Sequence, residues 1–387
     1  MGGKVSTTAP LVIVGTGLAG YNLAKEFRKL DAERPLMLIS ADDGRFYSKP
    51  LLSTGFAKGK QADELAMQDA ASMAGQLQAE ILTQTRVERI DPQQRRLWLA
   101  ERELEYSDLV LACGASPRQL PWARDLGERL LSINDLQDYA RFRQALEGRK
   151  RVLIIGAGLI GCEFANDLVL AGFEVSVLAS DPYLMPGLIP EPVAEPIQAS
   201  LEALGVRFYL NRNIAQMQLS ASGLQVRLDD GLVLEADQGL SAIGLQANTR
   251  LAAEAGLMIN RGIVVDRQLR SSDPHVFALG DCAEVNGLNL MYVMPLMAGA
   301  RTLAQVLAGQ AAQLSYGPMP VTVKTPACPL VVAPPVTASA GAWTFSGEGL
   351  DRRALFHAPD GQLHGYALTA GALPERLQLN RQLPSWL

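Results

Sequence analysis

The sequence is poor in cysteine. The four that it has, Cys113, Cys162, Cys282 and Cys328, are scattered and form no C-x-x-C motif. This distribution offers neither a disulfide framework nor the ligand spacing of a metal site, so we expect buried, reduced thiols and no bound metal. No uninterrupted apolar run approaches the roughly 20 residues that span a bilayer, and the first ten residues contain no apolar signal segment. These absences predict a cytoplasmic protein without membrane insertion.

Charged residues are also scarce. They make up 19% of the chain, and the net charge of −5 disfavours a general nucleic-acid binder. The apolar content of 48% and the 35 glycines indicate a tightly packed globular protein. A chain of 387 residues is too long for one compact core, so two or three domains are expected.

A glycine-rich turn near the N-terminus separates an apolar run from an amphipathic segment. Residues 11–14 predict a strand buried on both faces, and the segment after Gly20 repeats apolar residues at helical spacing. Gly15, Gly17 and Gly20 form G-x-G-x-x-G between them. Gly15 permits the tight turn, Gly17 lets a pyrophosphate approach the backbone, and Gly20 allows helix and strand to pack closely. The helix N-terminus then attracts the phosphates, so this unit predicts a dinucleotide site.

The same pattern returns at residues 151–168. Gly156, Gly158 and Gly161 repeat the spacing between a second apolar run and a second helical stripe. Two such units predict two dinucleotide sites on two Rossmann-type domains. The second unit lacks the usual acid at the end of its next strand, where Ala179 stands with Asp181 nearby. No arginine cluster follows this strand, which favours NADH over NADPH.

Three polar positions follow predicted strands or turns, and each has two interpretations. Asp42, after Ala41 and the strand at residues 35–40, is either an adenosine ribose ligand or part of a solvated Asp-Asp-Gly turn. Asp281 ends the strand at 276–281 and either accepts from a flavin polyol or caps the next helix. Lys49 either meets phosphate, flavin or a carboxylate, or lies in a surface Lys-Pro turn.

The remaining segments predict secondary structure of both kinds. Helices are expected at 63–78, at 195–205 and in the later part of 292–307. Strands are expected within 79–90 and 206–240, with a small antiparallel excursion at 97–99 and 104–106. From residue 318 the prolines crowd around short strand-like pieces, which indicates a small α+β tail domain.

Four motifs in order carry a family resemblance over nearly the whole chain: GTGLAG, LACGASPR, GAGLIGCEFA and FALGDCAE. They resemble those of the FAD-dependent pyridine nucleotide–disulfide oxidoreductases. The implied fold is α/β, with two Rossmann-like nucleotide-binding domains and a small C-terminal α+β domain. The expected domains are a discontinuous FAD-binding domain at 1–117 and 245–317, an NAD-binding domain at 118–244 and a C-terminal domain at 318–387.

Two further strings, DDGRFYSKPLLSTGF and GPMPVTVKTPACPLVVAPP, resemble the branch of that superfamily that passes electrons to rubredoxin. The resemblance implies an NADH-dependent flavoprotein reductase that holds FAD non-covalently. Its partner would be rubredoxin or a similar small iron carrier serving alkane hydroxylation or oxygen and peroxide detoxification. A monomer or a homodimer is expected.

The same resemblance implies particular site residues. The FAD would contact Gly15, Thr16, Gly17, Leu18, Ala19, Gly20, Ala41, Asp42, Lys49, Val87, Gly280, Asp281, Val293 and Lys324. The NADH would contact Gly156, Gly158, Gly161 and Glu163, with Glu163 beside the flavin and the nicotinamide. Lys49, Glu163 and Lys324 are the implied catalytic residues. Related ferredoxin reductases have a lysine where this chain has Thr54, which leaves open whether Lys49, Lys324 or neither pairs with Glu163.

The segment FYSKPLLS contains no cysteine, so the chain lacks the redox disulfide or redox thiol of the disulfide and peroxide reductases. An external one-electron acceptor is what remains. Three alternatives stay open at this point: a ferredoxin reductase of an oxygenase system, an NADH oxidase that makes peroxide, and a redox-sensing flavoprotein with little turnover.

Overall fold

The chain builds the predicted strand–turn–helix unit twice. The structure is a computed structural model that describes residues 9–100, 102–221, 223–336 and 340–387, so the first eight residues of the predicted FAD-binding segment lie outside the described residues. The first glycine turn follows strand Leu11–Val14 and opens helix Leu18–Arg28, here called the first fingerprint helix. The second turn follows strand Arg151–Ile155 and opens helix Leu159–Leu170, the second fingerprint helix.

The first sheet is parallel throughout, and its strands other than the edge strand Glu80–Leu82 are mostly buried and apolar on both faces. Its strands, in spatial order, are Val276–Ala278, Asp108–Leu111, Leu11–Val14, Leu36–Ile39 and Glu80–Leu82. Strand Val276–Ala278 comes after the whole second unit in sequence, so two separate stretches of chain build this sheet. Helix Val293–Leu307 packs along the first fingerprint helix and covers one face.

The second sheet is also parallel and carries the second glycine turn. Its strands, in spatial order, are Leu130–Leu131, Gln238–Ser241, Arg151–Ile155, Glu174–Leu178 and Arg207–Tyr209. Helices Leu136–Ala145 and Glu191–Ala203 bury apolar residues in the same unit. An antiparallel meander of Ile214–Ser220, Gly223–Leu228 and Val233–Ala236 extends from it.

The C-terminal unit is an antiparallel sheet with a short helix, Arg376–Asn380. Its strands, in spatial order, are Val321–Val323, Leu330–Ala333, Leu363–Thr369, Arg353–His357 and Ala342–Ser346. The predicted fold class is therefore confirmed: two Rossmann-like parallel sheets and a small α+β unit. The domain boundaries given above stay predictions. Among the described residues, no helix combines the length and the apolar character needed to cross a membrane.

The glycines explain why helix and strand pack so closely in both fingerprint units. A Cβ added at Gly20 would lie 1.9 Å from the carbonyl oxygen of Gly15, and one added at Gly161 would lie 2.0 Å from that of Gly156. Gly15 and Gly156 have φ values of +115° and +108°, which residues with a side chain rarely adopt. The two turns therefore share both the backbone conformation and the close approach.

Several predicted elements differ from the structure in their limits or in the sheet that they join, and the helix expected in the later part of 292–307 already begins at Val293. The helix predicted at 63–78 is two short helices, Ala62–Leu65 and Ala70–Leu77, because strand Ala66–Gln68 between them pairs with Phe46–Tyr47. Asp69 then caps the second helix by accepting from the Ser72 N–H at 2.7 Å.

The strand-like stretch at 79–90 divides between two sheets, since Glu80–Leu82 joins the first parallel sheet and Arg89–Asp91 joins a small antiparallel one. The partners of Arg89–Asp91 are the confirmed excursion strands Arg96–Trp98 and Glu103–Glu105. The helix predicted at 195–205 begins earlier, at Glu191, directly after Pro190 at its N-cap. Tertiary pairing and capping decide these limits, and local apolar periodicity does not report them.

Candidate functional site

A cavity of about 1460 Å³ lies where the three units meet. Its floor is formed by residues that directly follow the strands of the first sheet, at the edge where open α/β sheets bind ligands. The second fingerprint helix contributes residues including Glu163 and Phe164, and the C-terminal unit contributes residues 319–322 and Lys324. The volume exceeds the roughly 300–1,000 Å³ of ordinary small-molecule pockets and suits an extended dinucleotide.

Most of the predicted FAD-site residues line this cavity. They are Gly15, Thr16, Gly17, Leu18, Ala19, Ala41, Asp42, Lys49, Val87, Asp281, Val293 and Lys324, together with Glu163 from the predicted NADH set. Gly20 packs behind the wall against Gly15, and Gly280 packs against Ala19. The three glycines of the second turn lie in their own strand–turn–helix unit and do not line the cavity.

The first glycine turn fits a dinucleotide phosphate. A Cβ added at Gly17 would meet nothing within 4 Å, so the backbone here faces open space inside the cavity. Gly17 is also the N-cap of the first fingerprint helix, and no side chain caps that end. The first N–H groups of the helix are thus free to donate to phosphate oxygens. Gly158 repeats this arrangement at the second turn, with no neighbour within 4 Å of an added Cβ and no side-chain cap.

Asp42 makes the predicted turn contact and also lines the cavity. Its Oδ1 accepts from the Gly44 N–H at 2.9 Å, which is the turn contact. The same oxygen accepts from the Ser40 hydroxyl, which in turn contacts the Thr16 hydroxyl. Because Thr16, Ser40 and Asp42 all line the cavity, this hydrogen-bonded row links the glycine turn to the end of the second strand.

Lys49 and Asp281 both line the cavity, and the charge of each affects the pKa of the other. Burial lowers the pKa of Lys49, while the negative charge of Asp281 acts to raise it. Burial raises the pKa of Asp281, and Lys49 acts to lower it. The amine of Lys49 donates to Oδ1 of Asn134 at 2.7 Å, so it lies in a cavity wall and not in a surface turn.

Asp281 does not act as a helix cap. Helix Val293–Leu307 follows it in sequence, and that helix has Tyr292 at its N-cap without a side-chain cap bond. Asp281 instead lines the cavity, and its role toward a flavin stays a prediction.

Glu163 is the most enclosed polar group of the site, with its side chain fully buried on the second fingerprint helix. It accepts three hydrogen bonds: from the Ser53 hydroxyl at 2.6 Å, from the Lys324 backbone N–H at 2.8 Å, and from the Lys324 amine. Lys324 is therefore the lysine that pairs with Glu163, and Lys49 pairs elsewhere. The Thr54 hydroxyl donates to the Leu51 carbonyl oxygen.

Sequence reasoning missed the residues that surround this pair. Ser53 carries no motif that would identify it. Asn166 and Asp167 could have been identified, because they lie three and four residues after Glu163 and so share its helix face. Asp167 accepts from the backbone N–H groups of residues 56 and 57 at 2.8 and 3.0 Å, and Asn166 accepts from that of residue 327 at 3.1 Å. One face of the second fingerprint helix thus binds segments of the other two units.

The cysteines take no part in this arrangement of polar groups. Cys162, Cys282 and Cys328 are buried, and Cys113 is half-buried at the cavity wall. Burial raises the pKa of the Cys113 thiol well above its usual range and that of Cys282 to about 11. A thiol that stays protonated is a poor nucleophile, so the expectation of reduced thiols without a redox role agrees with their environment.

Comparison with known proteins assigns the chain to a protein family. Residues 9–309 match the family described as pyridine nucleotide-disulphide oxidoreductase, and the chain belongs to that family. Membership implies that it binds FAD and NAD(P)H. Residues 313–383 match a second family, the rubredoxin binding C-terminal domain, and these residues include Lys324.

Similar proteins point the same way. The chain is 51% identical to the rubredoxin-NAD(+) reductase of Alcanivorax borkumensis over 97% of its own length and 99% of that protein. It is 42% identical to the protein of the same name from Acinetobacter baylyi, over 97% of this chain and 98% of that one. A nitric oxide reductase FlRd-NAD(+) reductase of Vibrio vulnificus is 38% identical over 97% of this chain and 98% of that one.

Solved structures share the fold. A ferredoxin reductase for the CYP199A2 system of Rhodopseudomonas palustris superposes with a TM-score of 0.87 at 27% identity, over 97% of this chain and 95% of that one. The reductase in a covalent putidaredoxin reductase–putidaredoxin complex superposes with a TM-score of 0.88 at 24% identity, over 97% and 94%. Both agree with the α/β architecture described above.

Proposed function

We propose that this chain is an NADH-dependent rubredoxin reductase that holds FAD non-covalently in the cavity. FAD, when bound, accepts a hydride from a nicotinamide and releases electrons singly to a carrier. The observation that carries the proposal is the Glu163–Lys324 pair. It joins the second nucleotide-binding unit to the rubredoxin-binding segment at the wall of the cavity that the first unit opens.

Each unit supplies one part of the task. The free backbone at Gly17 and the uncapped helix N-terminus would bind the FAD diphosphate, with Asp42 toward the adenosine ribose and Val87 toward the adenine. Asp281 would accept from the polyol of the flavin. Gly158 and its helix would bind the NADH diphosphate in the same way. These roles stay proposals, and they rest on the cavity lining and the uncapped helix ends.

Glu163 and Lys324 would position the reactants and balance charge. The buried Glu163 carboxylate keeps the Lys324 amine and backbone at the cavity wall through two hydrogen bonds, and it accepts a third from the Ser53 hydroxyl. A lysine at this wall offers positive charge to the ring system that gains electrons, which is electrostatic stabilisation of the reduced state. Ser53 keeps the carboxylate oriented and is a positioning residue in this proposal.

An exit route for the electrons lies beside the rubredoxin-binding segment. Tyr292, Val293 and Met294, at the start of helix Val293–Leu307, line the cavity and are 37–47% exposed. Val321 and Thr322, from strand Val321–Val323 of the rubredoxin-binding segment, line the same cavity. A contiguous exposed apolar group is typical of a protein-docking surface, and this one borders the site of chemistry.

Carrier specificity tests the proposal. Cytochrome c reduction by NADH, with the FAD-loaded chain and either rubredoxin, ferredoxin or no carrier, separates the candidate functions. We expect rubredoxin to raise the rate by about tenfold or more, a difference of about 1.4 kcal/mol in activation free energy. Equal stimulation by ferredoxin would favour a ferredoxin reductase. Oxygen-dependent NADH consumption that no carrier increases would favour an oxidase.

A further inference from the structure

An arginine that is distant in sequence has its backbone beside the end of strand Glu174–Leu178 in the second sheet. Strand Arg207–Tyr209 pairs in parallel with Glu174–Leu178, and this pairing brings a distant loop to the strand end. The Arg212 backbone N–H donates to the Ala179 carbonyl oxygen at 3.1 Å, and the Asn211 N–H donates to that of Asp181 at 2.8 Å. The backbone of Arg212 therefore lies directly beside Ala179, the position where dinucleotide domains contact the adenosine ribose.

That arginine is already paired. Its Nε donates to Oδ2 of Asp230 at 2.9 Å, with the two side chains 43% and 40% exposed. The other carboxylate oxygen of Asp230 accepts from the Leu232 N–H at 3.0 Å, so the turn orients the acid. The Arg212 guanidinium also donates to the Asn211 carbonyl oxygen at 3.2 Å.

We infer that Asp230 sets the preference of this chain for NADH by withholding Arg212 from a 2′-phosphate. An arginine near the ribose is the group that accommodates the 2′-phosphate of NADPH, and a carboxylate there repels it. Asp230 disfavours NADPH in two ways. It pairs with the Arg212 guanidinium, and its negative charge repels the 2′-phosphate. Specificity then rests on a repulsive element as well as on attractive contacts.

The position that usually contacts the adenosine ribose carries no acid in this chain. Ala179 provides no carboxylate, and Asp181 lies two residues beyond it with its backbone carbonyl already bonded to Asn211. A neutral ribose is not excluded by the Arg212–Asp230 ion pair, whereas a dianionic phosphate must compete for Arg212. The inference rests on the proposed NADH site at the second glycine turn and names the residues that decide between the two dinucleotides.

The test is an affinity measurement on the FAD-loaded protein without any carrier. Isothermal titration calorimetry at low ionic strength compares 2′,5′-ADP with 5′-AMP, which differ only in the 2′-phosphate. Asp230→Asn keeps a turn-compatible side chain and removes the charge. We expect it to tighten 2′,5′-ADP binding by about fivefold, the size of an exposed ion pair near 1 kcal/mol, and to leave 5′-AMP binding unchanged.

Two further variants make the result specific. Asp229→Asn is the matched control, since it removes a charge from the same turn while its carboxylate bonds to Asn213. Because Arg212 also acts electrostatically on Asp229, this variant should shift the ratio of the two affinities in the same direction but by clearly less than Asp230→Asn does. Arg212→Gln in the Asp230→Asn background should abolish the gain, and added salt should weaken it.

An unchanged 2′,5′-ADP affinity in Asp230→Asn overturns the inference, as does a gain that persists without Arg212 or that appears equally in Asp229→Asn. The value of kcat/KM for NADPH should rise in parallel with the affinity. Because the titration contains no rubredoxin, a failure to reduce that carrier would count against the proposed function alone.

Discussion

Replacing Lys324 by methionine is expected to slow flavin reduction by NADH by about 100-fold, the cost of removing one preorganised charged donor from an active site. It should also make the flavin harder to reduce, because the positive charge at the cavity wall is lost. The Glu163 carboxylate would remain buried with its amine partner gone. Removing one member of a buried pair typically costs about 3–5 kcal/mol of unfolding free energy, and we expect the lower end because Lys324 is partly exposed.

A double-mutant cycle separates charge pairing from packing. Glu163→Gln in the Lys324→Met background removes both charges, so it should recover much of the lost stability but not the rate of flavin reduction. Lys49→Met is the matched control, because that lysine lines the same cavity but bonds to Asn134. Its effect should be independent of Glu163. An unaltered flavin potential and an unaltered reduction rate in Lys324→Met would reject the role proposed for this lysine.

The second large effect concerns substitutions of the glycines in the first turn, which should impair FAD binding at one position and folding at another. Gly17→Ala adds a methyl group that meets no protein atom within 4 Å, so the chain should fold normally. The methyl group lies where a diphosphate would approach the backbone. At the roughly 1–3 kcal/mol typical of a steric insertion, FAD affinity should fall by about 5- to 150-fold. Flavin fluorescence on titration of the apoprotein measures this loss.

Two other glycine variants control for the fold and for the assignment of the sites. Gly20→Ala would put its Cβ 1.9 Å from the Gly15 carbonyl oxygen, so it should impair folding itself, visible as a lowered Tm or insoluble protein. Gly158→Ala, with open space at its Cβ, should leave FAD bound and raise the KM for NADH. If Gly17→Ala kept its flavin while Gly158→Ala lost it, the two nucleotide sites would have been assigned the wrong way round.

The elements that sequence reasoning predicts best are those whose determinants are local. An apolar run, a glycine turn and a helical stripe lie within about 20 residues at each fingerprint, so both strand–turn–helix units could be read directly. The helix at 63–78 failed because its middle pairs with residues 46–47, a contact that periodicity does not report. The same reasoning left the partner of Glu163 open, since Lys324 is 161 residues away in the chain.

The remaining site residues differ in how far the sequence could have led to them. Asn166 and Asp167 were missed, although their helical spacing from Glu163 places them on the same helix face and would have been enough to group them. Ser53 has no such spacing to identify it. Arg212 reaches Ala179 only because one parallel strand lies beside another, so its absence from the segment after the strand was misleading. Long-range pairing, which brings together residues without local pattern, accounts for most of what the sequence did not reveal.

The route of the electrons is tested most directly by anaerobic stopped-flow mixing of the FAD-loaded chain with NADH and oxidised rubredoxin. The account predicts rapid loss of flavin colour followed by bleaching of rubredoxin, with two carriers reduced for each NADH because each takes one electron. A flavin that is reduced by NADH while rubredoxin stays oxidised would contradict it.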